Sequence, residues 1–332
     1  RLTEPPAMSD VGVIVALRSL GLVGRGEAVE VLPLAGGVSA DVYSVRTASG
    51  RKMVVKRSIP RLRVKAEWCA PVGRDAVEVA WLETARAIDA RLAPEVIGWS
   101  REEHLIVLAW IDGPAWKQEM IDGRVDPAFA GQVGHDLARL HCATAGRADI
   151  ARRFPSGENF RALRIDPFLL YTADRHPDVG PRLSELAADL ARGKDALIWG
   201  DASPKNILVG ADGPVFVDAE TATIGDPAFD VAFCLTHLLL KSVWLAPLAE
   251  ALMASFEALR NTYLANDSTD PRFSERATAL IGALLLARVD GKSPAGYLSA
   301  DQDGVVRRRA KAILARPKLD LSMLPDFWRG LS

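Results

Sequence analysis

The sequence predicts an α+β chain in two parts, a small antiparallel sheet over residues 1–111 and a larger, mainly helical part over residues 112–332. Three observations carry this expectation. Valine-rich, partly alternating runs at 29–34, 38–46 and 52–57 have the two-residue period of strands. Beyond Asp112-Gly113-Pro114 the apolar residues change to helical spacing. Inside that helical part, Ile207-Leu208-Val209 and Val215-Phe216-Val217 flank Ala211-Asp212-Gly213, the form of a short hairpin set among helices. The length agrees, because single cores stop growing near roughly 250 to 300 residues.

In chain order, Ser9 or Asp10 caps a first helix in which Val13, Leu17 and Leu20 share a face, with Gly21 and Gly24 ending it. Ala48-Ser49-Gly50 is the turn between the second and third strands. A helix is expected over 75–92, then strands over 96–99 and 105–111. The second part should carry helices over 129–142, 181–190, 228–256, 275–289 and 305–315.

The 41 Lys and Arg residues balance 42 Asp and Glu, a formal net charge of −1, so no overall field favours nucleic acid or an anionic membrane. The expected partner is a small molecule. Cys69, Cys142 and Cys234 are far apart and odd in number, which suggests neither a disulfide framework nor a zinc site. The most apolar runs, 231–240 and 277–287, are shorter than the roughly 20 residues of a membrane span. The polar start lacks a signal-peptide pattern, and a cytoplasmic location is expected.

The chemistry concentrates at the hairpin. Asp201 and Asn206 are five residues apart, and Asp218 follows twelve later. Phosphoryl transfer needs a carboxylate to orient the attacking hydroxyl, oxygen ligands for magnesium, and a cation near the transferred phosphate. Asp201, then Asn206 with Asp218, then Lys205 supply those three types. In the sheet part, Gly36, Gly37 and Ser39 lie at a strand-to-strand turn where backbone amides can approach a polyphosphate. Lys56 follows on a strand, and Glu78 and Glu83 on the next helix are its candidate partners. Gly291-Lys292-Ser293 is not a phosphate loop, because Leu286 stands where that motif requires glycine.

The order of glycine turn, strand lysine, helix glutamate, apolar strand, aspartate, asparagine and second aspartate resembles the bilobal protein-kinase-like fold. More closely, the sequence resembles the aminoglycoside phosphotransferase and choline kinase-like family of small-molecule kinases. Leu140-His141, Gly200-Asp201 with Asn206, Val217-Asp218-Ala219-Glu220, and Gly225-Asp226-Pro227 with Asp230 carry the match. The resemblance implies Mg2+ and ATP as cofactors, with GTP not excluded, and a small-molecule hydroxyl as acceptor. It implies Asp201 as base, Asn206 and Asp218 as metal ligands, and Lys56 on the nucleotide phosphates with Glu78 holding it. Backbone groups of residues 109–111, Ala109 and Ile111 among them, would meet the nucleotide base, and Asp230 would bind the backbone of the catalytic loop. A monomer or homodimer is expected.

Two positions depart from the family pattern. Trp199 replaces the usual histidine before Gly-Asp, and Ala202-Ser203-Pro204-Lys205 replaces Leu-His-Pro-Gly. Trp199 is the feature that keeps open the alternative of a nucleotide-binding pseudokinase without turnover. For the acceptor, Arg161, Arg164 and Glu220 are candidate contacts. Residues 246–332 hold ten acidic and twelve basic residues, and residues 147–196 eight and nine. Neither region is acidic, which favours a neutral or anionic acceptor over a polycationic antibiotic.

Overall fold

A computed structural model describes residues 9–34, 39–59, 62, 63, 71, 73–266, 270 and 272–331. The chain forms two compact units, Arg1–Asp112 and Gly113–Ser332.

The first unit opens with α1 (Asp10–Ser19), capped by the Ser9 side chain, which accepts the Gly12 N–H at 3.2 Å. Strands β1 (Val29–Pro33), β2 (Ala40–Thr47) and β3 (Lys52–Ser58) follow, then α2 (Arg74–Ile88), β4 (Val96–Ser100) and β5 (Leu105–Ala109). They form one antiparallel sheet in the order β1-β2-β3-β5-β4. Side chains alternate across a strand, so Met53 and Val55 share a face with Val45, Val107 and the α1 residues Val13 and Leu17 in one buried cluster. Lys56 therefore points to the opposite face. Helix α2 stops four residues earlier than expected because Asp89 is extended and its carboxylate accepts the Arg91 N–H at 2.9 Å.

The second unit contains α3 (Trp116–Ile121), α4 (Pro127–Thr144), α5 (Ala148–Ala151), α6 (Glu158–Phe160), a π-helical segment Arg161–Leu170, α7 (Tyr171–Arg175) and α8 (Gly180–Arg192). Then come β6 (Ala196–Ile198), β7 (Ile207–Gly210), β8 (Gly213–Phe216) and β9 (Thr223–Gly225), and helices α9 (Ala228–Trp244), α10 (Ala249–Asn266), α11 (Phe273–Asp290), α12 (Ala300–Leu314) and α13 (Leu324–Gly330). β7 and β8 are the expected hairpin. β6 pairs with β9, a three-residue strand too short to announce itself by periodicity.

Two helical expectations are corrected. The stretch 228–256 is two helices that bend by 119° after Trp244. Pro247 sits in the connecting turn, where its missing N–H and its ring forbid a continuous helix. The helix expected from 305 starts at Ala300, because Ser299 and Gln302 cap each other's backbone N–H.

Every residue of α9 from Ala228 to Ser242 is buried, which makes it the central helix of this unit. Asp230, His237 and Lys241 are charged or ionisable exceptions on it. Among the described residues no single helix is long and apolar enough to cross a membrane.

Candidate active site

The loop between β6 and β7 is built by hydrogen bonds that leave it little freedom. Gly200 has φ +77, and a Cβ there would lie 2.6 Å from Thr221 Oγ1, so the turn requires glycine. Asp230, fully buried in the first turn of α9, accepts the Trp199 N–H at 2.6 Å and the Gly200 N–H at 2.7 Å. The same carboxylate meets His141 Nε2 at 3.1 Å, and His141 Nδ1 meets the Tyr263 hydroxyl at 2.9 Å. Pro204 O accepts the Lys117 N–H at 2.9 Å, and Asn206 N–H donates to Ser203 O at 2.9 Å.

Trp199 supplies part of this bracing. Its indole Nε1 donates to the Asp218 carbonyl at 3.1 Å, and its ring packs on Phe216 at 4.9 Å. The tryptophan thus ties the loop to the end of β8. Tyr263 and Arg276 join this bracing without any local sequence signal. Arg276 grips Asp226 with two hydrogen bonds of 2.8 and 2.9 Å, and this ion pair raises its pKa.

Asp201 is 5% exposed and collects three partners on a single oxygen. Asn206 Nδ2 donates to Oδ2 at 2.7 Å, Arg164 Nη2 lies 3.0 Å from Oδ2, and Lys205 Nζ lies 3.5 Å from it. Arg164 also donates from Nε to Gly200 O at 2.6 Å. Asn206, its amide N–H committed to Asp201, has its side-chain carbonyl left as a donor to a cation. The Val217 N–H donates to Asn206 O at 3.0 Å, so Asp218 follows directly beyond that hydrogen bond, with φ +66. Aside from His104, Asp218 is the non-glycine residue with positive φ among the described residues, a backbone conformation concentrated at functional sites.

Of the acceptor candidates, Arg164 is buried against Asp201 while Arg161 is largely exposed and pairs with Asp166 at 3.3 Å. Glu220 is buried, and its carbonyl accepts from Asn159 Nδ2 at 3.4 Å. Arg161 is thus not joined to the Asp201 group, and Arg164 serves Asp201 itself.

In the first unit, Lys56 Nζ lies 2.7 Å from Glu78 Oε2, both side chains buried, whereas Glu83 is exposed. Ser39 is buried, and its carbonyl accepts from Arg74 Nη2 at 2.8 Å. Gly36 and Gly37 lie outside the described residues. The Ala109 N–H is spent on Glu95 O at 2.9 Å and the strand ends there, so of the two expected nucleotide contacts Ile111 lies beyond the strand.

Residues 30–273 match the model of the phosphotransferase enzyme family known as APH, and the chain belongs to that family. Over 234 residues it is 27% identical to a methylthioribose kinase of Bacillus cereus, covering 60% of this chain and 58% of that protein. The chain thus spans less than two thirds of the length of that relative. An amicoumacin kinase structure superposes with a TM-score of 0.60 at 15% identity, covering 96% of this chain and 98% of that one. A macrolide 2'-phosphotransferase from Brachybacterium faecium gives 0.52 at 20% identity, covering 94% and 100%. These likenesses establish the α+β kinase-like fold.

Proposed function

We propose that this chain is a small-molecule kinase that transfers the γ-phosphoryl of ATP to a hydroxyl. The observation that carries the proposal is the asymmetry of Asp201. Its Oδ2 accepts from Asn206 and is the oxygen nearest to Arg164 and Lys205, and among the described residues no hydrogen bond falls on Oδ1. A carboxylate fixed through one oxygen and open at the other is suited to accept a proton from an acceptor hydroxyl.

The reaction is direct in-line transfer without a phosphoenzyme. The acceptor oxygen forms the new P–O bond, the bond to ADP breaks, and the acceptor proton passes to Asp201 Oδ1. Lys205, half exposed beside Asp201, offsets charge on the transferred group. Lys56, fixed by Glu78, holds nucleotide phosphates, with the turn containing Gly36, Gly37 and Ser39 supplying amides and Ile111 its N–H to the base. Asn206 and Asp218 offer the hard oxygen donors that Mg2+ prefers, and the position of Asp218 one residue past the Asn206–Val217 hydrogen bond suits a shared ion. Bound with the nucleotide, Mg2+ would neutralise phosphate charge.

Kinship with methylthioribose kinases supports a small hydroxylated metabolite as acceptor. The bracing of the loop by Trp199 removes the reason to suspect lost turnover from that residue alone. The test is ADP release with Mg-ATP over aminoglycosides, choline, amino-acid alcohols, sugars including methylthioribose, and nucleosides, with Asp201→Asn as control. An acceptor-dependent signal that the control abolishes establishes the kinase. Nucleotide binding without any such signal across sugar, alcohol and amine acceptors favours the module without turnover, and absence of nucleotide binding rejects both.

A further inference from the structure

Helix α9 carries a second set of groups beyond Asp230. His237 and Lys241 follow at helical spacing on the same stripe, seven and eleven residues after Asp230. Lys241 is 2% exposed, yet its ammonium makes no hydrogen bond or ion pair among the described residues. Its Nζ lies over the Tyr297 ring, 5.7 Å from the ring centroid, and that ring packs on Trp244 with centroids 4.5 Å apart. The Tyr297 hydroxyl and Arg288 Nε are both buried without a hydrogen-bond partner. Arg288 is anchored through its Nη1 to Ser293 and shares the Phe168 ring with Arg164, at 5.9 and 5.7 Å. Arg164 also lies 5.5 Å from the Phe233 ring, which packs on His237 at 5.1 Å. The set is therefore continuous from Asp201 to Tyr297.

A buried cation without a counter-charge is costly unless a partner arrives. Here the neighbours make matters worse, since Lys117 and Arg288 add positive charge, and burial together with them pulls the Lys241 pKa down to about 7. His237 is held neutral by burial and by Lys241, Arg288, Lys205 and Arg164 around it. The unpartnered atoms of Lys241, Arg288 and Tyr297 are all donors, and what they lack is an acceptor bearing negative charge.

We propose that the acceptor of this kinase carries an oxyanion, a phosphomonoester or a carboxylate, which Lys241, Arg288 and the Tyr297 hydroxyl bind while its hydroxyl meets Asp201. This inference rests on the phosphotransfer function proposed above and specifies its substrate class.

The test uses the full chain and three readouts. Calorimetry measures binding of inorganic phosphate, glycerol 3-phosphate and glycerate, with and without saturating Mg-AMP-PNP. ADP release compares those two organic anions with glycerol, and Mg-ATP binding is measured separately. Expected is anion binding that persists with Mg-AMP-PNP and weakens at least tenfold in both Lys241→Met and Arg288→Gln. Expected too is a kcat/KM at least tenfold higher for an anionic acceptor than for glycerol, the phosphomonoester and carboxylate arms showing which oxyanion is preferred. Thermal melts verify that the variants fold, and Lys241→Met should do so readily because it removes a buried charge. Anion binding that is absent, unchanged in both variants, or displaced by Mg-AMP-PNP overturns the inference. Failure of Mg-ATP to bind would instead reject the kinase function, a result read independently of the anion titration.

Discussion

Arg164 and Asp201 form an ion pair of 3.0 Å in which the arginine also holds the Gly200 carbonyl at 2.6 Å. One guanidinium thus fixes both the backbone turn and the carboxylate it presents. In the proposed mechanism the pair engages Oδ2, which gives Arg164 the part of positioning Oδ1 rather than of touching the acceptor. Arg164→Gln should lower kcat by about 10- to 100-fold, with KM for the acceptor changed far less and Mg-nucleotide affinity retained. Partial recovery in Arg164→Lys, which restores one charge but not the fork, would separate positioning from simple structural loss. Steady-state kinetics with calorimetry on each variant gives the answer.

Asp201→Asn keeps the side chain's shape and removes its basicity. Turnover should fall by about a thousandfold or more, while the Kd for Mg-nucleotide stays within about threefold. Asp218→Ala should do the reverse in binding, weakening Mg-nucleotide by about tenfold or more if the proposed metal ligand is lost. Equal losses in both measurements for both variants would show that the two aspartates share a structural role.

The Asp230 carboxylate holds two backbone N–H groups and His141 in a site without solvent. Asp230→Ala leaves those donors buried without an acceptor, which should destabilise the second unit by about 3 to 5 kcal/mol. Tyr263→Phe removes the hydrogen bond to His141 and should cost about 1 kcal/mol. Denaturant titration followed by tryptophan fluorescence measures both.

The parts of the site that lie close in sequence were readable from it. Asp201, Lys205, Asn206 and Asp218 sit on one loop and one hairpin, so their spacing alone brings them together. For Lys56 the residues alone leave Glu78 and Glu83 open as partners; the family resemblance favours Glu78, and the ion pair falls there. What stayed hidden depends on distant chain segments. Tyr263 reaches His141 across 122 positions and Arg276 reaches Asp226 across 50, with no local signal at either end. Arg161 and Arg164 looked equivalent, and only the helical segment they share sets one outward and the other against Asp201. Lys241 was hidden differently, as a lysine inside an apolar run that reads as an ordinary core helix. The break after Trp244 was missed because the apolar run reads as one helix over 228–256, although Pro247 stands in the turn that ends it.

Lys241 also predicts how stability depends on pH. Its pKa is about 7 in the folded protein against 10.5 for an ordinary lysine. Between those values the unfolded chain binds a proton that the folded chain does not, so folding becomes more favourable as pH rises. Below about pH 7 both states are protonated and the full penalty of burying the charge remains. Cys234 and Tyr297 act in the opposite sense at higher pH, since burial raises both and the unfolded chain loses their protons first. The comparison is therefore the difference between wild type and Lys241→Met, in which those groups cancel. Lys241→Met should be the more stable protein at pH 7, and its advantage should shrink by about 1 kcal/mol per pH unit between pH 7.5 and 9. Urea titrations of both proteins across that range measure the slope. A pH-independent difference would mean that Lys241 is not buried as a charge-bearing group, and the oxyanion site would lose its central member.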